Sequence, residues 1–144
     1  MRHLEIQSVL MVDDDETTIF LNKIFLDNLA PELEVNTAEN GAEALDFLRA
    51  HLDDPMFGKC LVILDIEMPV MNGWDFLEVF EREFTATQKD KVFLTLLTIH
   101  SDDQVRQKAS KFASVKEYLA KPLSDEQFEK LMNRHFPHTL LGVK

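Results

Sequence analysis

The sequence predicts an α/β fold: a doubly wound, five-stranded parallel sheet with helices on both faces. Three observations predict it. Short apolar runs recur along the chain, at Ile6–Val12, Leu33–Thr37, Cys60–Leu64, Val92–Thr98 and Val115–Leu119. Most are nearly continuous in apolar residues, as strands covered on both faces by helices are. Amphipathic stretches that open with helix-start signals lie between them. A (βα)5 succession with right-handed crossovers then puts helices on both sides of one parallel sheet.

Taken in order, Ile6–Val12 predicts the first strand, and it ends in Asp13-Asp14-Asp15. Asp15 stands where the N-cap of a helix over Glu16–Leu29 belongs. Leu33–Thr37 alternates in polarity, which fits an edge strand. Asn40, followed by Glu43, starts the second helix, and Leu52–Lys59 reads as a surface loop. Cys60–Leu64 is a buried strand ending at Asp65. A tight loop, Ile66-Glu67-Met68-Pro69, then leads through Asn72-Gly73 into a helix over Trp74–Phe84. Thr85–Lys91 reads as a second surface loop. The run Val92–Leu97 ends in Thr98, and Ser101 with Gln104 opens a helix over Asp102–Phe112. Val115–Ala120 ends in Lys121-Pro122, a tight turn, cis or trans, that aims the lysine. Ser124 with Gln127 caps the last helix, whose apolar stripe is Phe128, Leu131, Met132 and His135. The reading is one domain over 1–144, with its core at about 6–136 and a short tail over 137–144.

Bulk composition narrows the function. A 144-residue chain that is 45% hydrophobic and 28% charged suits a soluble globular protein. Its net charge of −11 argues against non-specific binding to nucleic acid or to anionic membranes. The single Cys60 opens an apolar run and reads as a buried, reduced thiol. The start lacks the apolar core of a signal peptide, and no window is long enough to span a bilayer, so the expected location is the cytoplasm. No internal repeat or interdomain linker is visible.

The chemistry gathers at strand ends. In an open parallel sheet the carboxyl ends of the strands form one crevice, where ligands bind. Asp13, Asp14, Asp65, Thr98 and Lys121 all fall on that edge. Asp65 reads equally as a nucleophile toward phosphoryl groups and as a loop carboxylate satisfying backbone amides. Its company shifts the balance. Asp13 and Asp14 are adjacent acids at the end of a buried strand, where a divalent cation would hold them ionised. Mg2+, with its preference for few carboxylates, waters and phosphate oxygens, suits them. A hydroxyl at Thr98 and an ammonium at Lys121 could each stabilise a phosphoryl oxygen. Their plainer readings are a β-branched strand residue and a solvated lysine.

Together these residues resemble the receiver domain of the two-component response regulators. The likeness runs over nearly the whole chain, through Val12-Asp13-Asp14-Asp15, Leu64-Asp65-Ile66-Glu67-Met68-Pro69, Asn72-Gly73, Thr98 and Lys121-Pro122. Each motif is modest alone, and their joint order and spacing is specific. The resemblance implies a stand-alone receiver with a flavodoxin-like strand order of 2-1-3-4-5. It implies that Asp65 is the phosphoacceptor and that Asp14, Asp65 and Asp13, directly or through water, hold Mg2+ together with the backbone carbonyl of Glu67. Thr98 and Lys121 would bind phosphoryl oxygens, and Tyr118 would be the aromatic switch that follows them. Glu67 and His100 occupy positions that tune the lifetime of the phosphoryl group in receivers. Ile99, where many receivers carry a small residue, could narrow access to Asp65 or restrict Tyr118. The implied donor is a phosphohistidine on a sensor histidine kinase or histidine phosphotransfer protein, in a bacterial cytoplasm. The downstream protein, and pairing into a homodimer, stay open.

The helix over Glu16–Leu29 adds an observation of its own. At about 100° per residue, Glu16, Lys23 and Asp27 share one narrow side, while Ile19, Phe20, Leu21, Ile24, Phe25, Leu26 and Leu29 cover most of the rest. That is more apolar surface than a helix on a sheet needs. It reads either as a docking face for the kinase or as a face covered by a neighbouring helix and the tail.

Two rival functions share parts of this pattern. A haloacid-dehalogenase-type phosphatase would need a second Asp two residues after Asp65 and a following Gly-Thr, where Ile66-Glu67-Met68-Pro69 stands. A Toprim-like metal domain would need Asp-x-Asp where the chain has Asp65-Ile66-Glu67. No Gly-rich phosphate loop supports nucleotide binding, and neither a zinc site nor a cysteine protease has its motif. A receiver-like adaptor that works without phosphorylation keeps the fold and drops the chemistry. The expectation is therefore a phosphoacceptor and not an enzyme that turns over substrate.

Overall fold

A computed structural model describes residues 5–99 and 103–137. Its elements run β1 (Ser8–Val12), α1 (Glu16–Leu29), β2 (Glu34–Ala38), α2 (Gly41–His51), β3 (Cys60–Asp65), α3 (Gly73–Glu83), α4 (Ala86–Asp90), β4 (Val92–Thr98), α5 (Asp103–Ala109), β5 (Val115–Ala120) and α6 (Asp125–His135). The five strands form one sheet in the order β2-β1-β3-β4-β5, and every neighbouring pair is parallel. The alternating Leu33–Thr37 run supplies β2 at one edge, while the continuously apolar β1 and β3 lie inside with every residue buried. This is the doubly wound, flavodoxin-like topology that the sequence predicts.

Each face of the sheet has its own core. On one, Leu45 and Leu48 of α2 and Phe76 and Phe80 of α3 pack on Leu10, Val62, Leu64, Leu94 and Leu96. On the other, Leu26 of α1 and Phe128, Leu131 and Met132 of α6 pack on Val9, Met11, Leu61, Ile63 and Leu97. Strand residues of alternating sign of projection thus feed two apolar layers, which is why the runs carry so few polar residues. Cys60 is buried in the first layer, and burial pushes its thiol up to about 11, so it is an inert core residue.

Helix starts follow the capping signals. The side chains of Asp15, Asn40, Asn72 and Ser124 accept the N–H of Thr17, Glu43, Asp75 and Gln127 in turn. The strands β1 and β2 begin at Ser8 and Glu34, later than the expected Ile6 and Leu33, and three helix boundaries also differ from expectation. The stretch 85–91 is not a plain loop: Thr85 and Gln88 form a reciprocal capping box around the one-turn helix α4. The helix expected to reach Phe112 ends at Ala109, and Phe112 reaches the core after a turn in which its N–H donates to the Ala109 carbonyl. The helix expected over 74–84 starts and stops one residue earlier, with Phe84 as its C-cap. Ser101, Asp102, His100 and the tail beyond Pro137 lie outside the described residues.

The apolar excess of α1 is real. Leu26 is buried and α6 packs alongside, yet Phe20, Leu21 and Ile24 are 65%, 47% and 41% exposed. Among the described residues, no helix is long and apolar enough to cross a membrane.

Candidate functional site

The strand order reverses between β1 and β3: from β1 the sheet continues to β2, and from β3 to β4. The crevice at such a switch point is where parallel sheets bind ligands. Asp13 follows β1, Asp65 ends β3, Thr98 ends β4 and Lys121 follows β5. The fold therefore brings together residues separated by more than 100 positions in the chain.

Asp13, Asp14 and Asp65 each offer a carboxylate oxygen, and these atoms lie within 4.8 Å of one another. Asp13 and Asp65 are buried and Asp14 is exposed. The Lys121 ammonium lies between two of the acids, 3.0 Å from Asp65 Oδ2 and 3.3 Å from Asp13 Oδ2. Asp13 Oδ1 accepts the Asp15 N–H at 2.9 Å, whereas Oδ2 has no well-directed hydrogen bond among the described residues and lies 3.3 Å from that ammonium. Burial is the largest influence on Asp65 and raises its pKa. The Asp13 charge adds to the rise, and the hydrogen bond from Lys121 only partly offsets it. Burial pulls Lys121 the other way, but its hydrogen bond to Asp65 and the charges of Asp13 and Asp65 outweigh that and raise it. Lys121 is thus a fixed cation at neutral pH, and among the described residues one positive charge stands beside the three carboxylates.

Local contacts fix the chain where it carries Lys121 and Asp65. The Lys121 N–H donates to the Thr98 carbonyl at 2.9 Å, joining the ends of β4 and β5. The Lys121–Pro122 bond is cis. The Gln127 side chain holds that turn, accepting the Ala120 N–H and donating to the Ala120 and Pro122 carbonyls. After Asp65 the chain doubles back, and the Gly73 N–H donates to the Ile66 carbonyl at 2.8 Å. A Cβ at Gly73 would sit 2.8 Å from the Ile66 Cα and 2.9 Å from the Asp65 carbonyl oxygen, so the loop closes only over glycine. Val70, within this loop, holds a left-handed φ of 68°, a strained backbone for a β-branched residue.

A cavity of about 210 Å³ opens over Asp65, lined by Asp14, Asp65, Glu67, Thr98 and Lys121 and rimmed by Ile66, Trp74, Ile99 and Val105. It brings together most of the residues that the sequence singles out. Ile99 is 65% exposed at the rim. Tyr118 does not line the cavity; it is half-buried on the α5 side of β5, with the Arg106 guanidinium 5.2 Å from its ring centroid. His100 lies outside the described residues. Sequence reasoning missed Trp74 and Val105. Trp74, the first residue after Asn72-Gly73, had a signal in its place at a helix start beside the Asp65 loop, whereas Val105 had none.

The donor set fits a hard divalent cation. Three carboxylate oxygens converge, one buried oxygen lacks a directed hydrogen bond, and among the described residues no sulfur or imidazole ligand joins them.

A family model, the response regulator receiver domain, matches residues 9–133. The chain belongs to that family. The receiver is 30% identical over 122 residues to the probable methanogenesis regulatory protein FilR2 of Methanothrix harundinacea, covering 85% of this chain and 76% of that protein. It is 34% identical over 88 residues to the response regulator Rre1 of Synechocystis, covering 61% of this chain but only 35% of Rre1. Its fold superposes on a two-component response regulator from Cytophaga hutchinsonii with a TM-score of 0.78 and 28% identity, over 90% of this chain and 96% of that one. For the chemotaxis response regulator CheY4 of Vibrio cholerae the values are 0.70 and 26%, over 90% and 98%.

Proposed function

We propose that this receiver accepts one phosphoryl group on Asp65, from a phosphohistidine of a sensor kinase or histidine phosphotransfer protein in the cytoplasm, and so acts as a phosphorylation switch. The observation that carries the reading is the Lys121 ammonium, 3.0 Å from Asp65 and 3.3 Å from Asp13 at the floor of one cavity shared with Thr98. An Asp65 carboxylate oxygen attacks phosphorus as the P–N bond to the donor imidazole breaks, and the bonding pair leaves with the imidazole nitrogen. Asp13, Asp14 and Asp65, with the Glu67 carbonyl, would hold Mg2+, which when bound supplies positive charge to offset the carboxylates and the phosphoryl oxygens. Thr98 donates its hydroxyl to one phosphoryl oxygen and Lys121 its ammonium to another. Their approach draws β4 and β5 toward the phosphoryl group, and Tyr118 and α5 follow as a population shift between two states. The exposed Phe20, Leu21 and Ile24 of α1 fit the docking of the phosphoryl donor. Glu67 and Ile99 line the cavity, which supports a role for both in tuning the lifetime of the aspartyl phosphate.

Intact-protein mass after incubation with acetyl phosphate tests this. A Mg2+-dependent gain of one phosphoryl group, absent in Asp65→Asn, is the expected result. No gain under any condition would move the protein to the phosphorylation-independent adaptors.

A further inference from the structure

The helix α5 is thinly attached. It spans seven residues, of which only Ala109 is buried. Val105 and the nearby Phe112 pack partly against the core. Two of its cations rest on aromatic rings of the body. Arg106 lies over Tyr118, and the Lys108 Nζ lies 4.7 Å from the ring centroid of Trp74. Trp74 also stacks on Phe112, with centroids 6.3 Å apart and planes at 25°. Yet Trp74 stands in the first turn of α3 and lines the cavity over Asp65. One indole therefore touches the cavity and the segment that ends α5.

We propose that Trp74 is a positioning residue that couples occupancy of the Asp65 cavity to the position of α5, along a path separate from Tyr118. This deepens the phosphoacceptor reading and rests on it. Packed side chains shift between discrete arrangements rather than deform continuously. A phosphoryl group beside the indole thus bears on the Lys108 and Phe112 contacts as well. The Lys108–Trp74 contact belongs to the resting state, in which Lys121 spans Asp13 and Asp65. It holds α5 in its resting place, and its loss favours the switched state. A cation–π contact at a partly exposed site is worth a factor of about 2 to 5 in such an equilibrium.

Trp74 is the single tryptophan of the chain, so its emission reports on this site directly. The full chain is titrated with beryllium fluoride in Mg2+, a non-covalent stand-in for the phosphoryl group on a carboxylate. Lys108→Met keeps the aliphatic stem and removes the charge. Lys111→Met removes the same charge just beyond the helix and controls for net charge. The Lys108→Met protein is expected to half-saturate at about 2- to 5-fold lower concentration than wild type. Its ligand-free emission should already lie toward the saturated value, while Lys111→Met tracks wild type. A Lys108→Met midpoint equal to wild type would overturn the coupling while leaving the phosphoacceptor reading intact. A wild-type protein that gains no mass from acetyl phosphate would overturn both.

Discussion

Among the described residues Lys121 is the one cation between the convergent acids, and removing it should expose what the site costs. In Lys121→Met the aliphatic stem stays, but Asp13 and Asp65, 3% and 4% exposed, lose their counter-charge. Removing one partner of a buried ion pair costs about 3–5 kcal/mol. The Lys121 side chain keeps 19% exposure, so water can enter and the lower end applies, about 3 kcal/mol. For a chain of this size each kcal/mol moves the melting temperature by about 3–4 °C, so a fall of about 10 °C is expected in a chelator. Mg2+ should then restore much of it: at 100 times its dissociation constant a ligand returns about 2.7 kcal/mol. The Lys121→Met protein should also bind the ion more tightly than wild type, because a competing positive charge is gone. Thermal melts across a Mg2+ series measure both effects. A variant that melts within about 2 °C of wild type in chelator, or gains no more from Mg2+ than wild type, would refute the claim that Lys121 neutralises this cluster.

Two further substitutions probe the same pocket. Burial and Asp13 raise the Asp65 pKa above its ordinary 3.8, so ionised Asp65 burdens the fold. That burden is absent below 3.8 and complete above the raised value, so the advantage of Asp65→Asn over wild type should grow as pH rises through that window. Urea denaturation in chelator at stepped pH would show it, and a flat or shrinking difference would contradict the burial argument. Gly73→Ala would press a methyl on Ile66 and the Asp65 carbonyl, costing about 1–3 kcal/mol and slowing phosphorylation by moving the end of β3. Melting temperature and the rate of mass gain from acetyl phosphate check the two parts separately.

The site was legible because a parallel sheet makes it so. Once the apolar runs are read as strands of one sheet, every residue at a run's carboxyl end falls on one edge, however distant in sequence. Asp13, Asp65, Thr98 and Lys121 needed no more than that. Helix starts were legible for a similar local reason, since Asp15, Asn40, Asn72 and Ser124 cap through contacts within three residues. The failures are non-local or too short. The helix α4 has no apolar periodicity, and its one signal, Thr85 with Gln88, sits inside a polar stretch. Phe112 lies at helical spacing from Ala109 but reaches the core through a turn. Trp74 and Val105 border the cavity only because of how α3 and α5 approach the sheet, and nothing in local sequence encodes that approach. A β-branched residue such as Val70 gives no hint of a positive φ.

The resting contacts also suggest how a change at Asp65 reaches the surface. Lys121 cannot move to a phosphoryl oxygen as a free surface lysine would. Its N–H is tied to the Thr98 carbonyl, and the turn behind it is held by Gln127. What remains free to move is the end of its side chain, which must leave Asp65 Oδ2 or share it when that carboxylate is modified. The ends of β4 and β5 are joined, so a pull on Thr98 or Lys121 is felt by both strands. Tyr118 lies three residues back along β5, and the cation resting on it belongs to α5. The helix α5, with one buried residue, resists such a pull weakly. On the phosphoacceptor reading proposed above, the burden of the acid cluster and the weak hold on α5 would act together: the first makes the pocket receptive to a cation, whose charge would offset that of an incoming phosphoryl group, and the second would let a small local rearrangement become a change of surface.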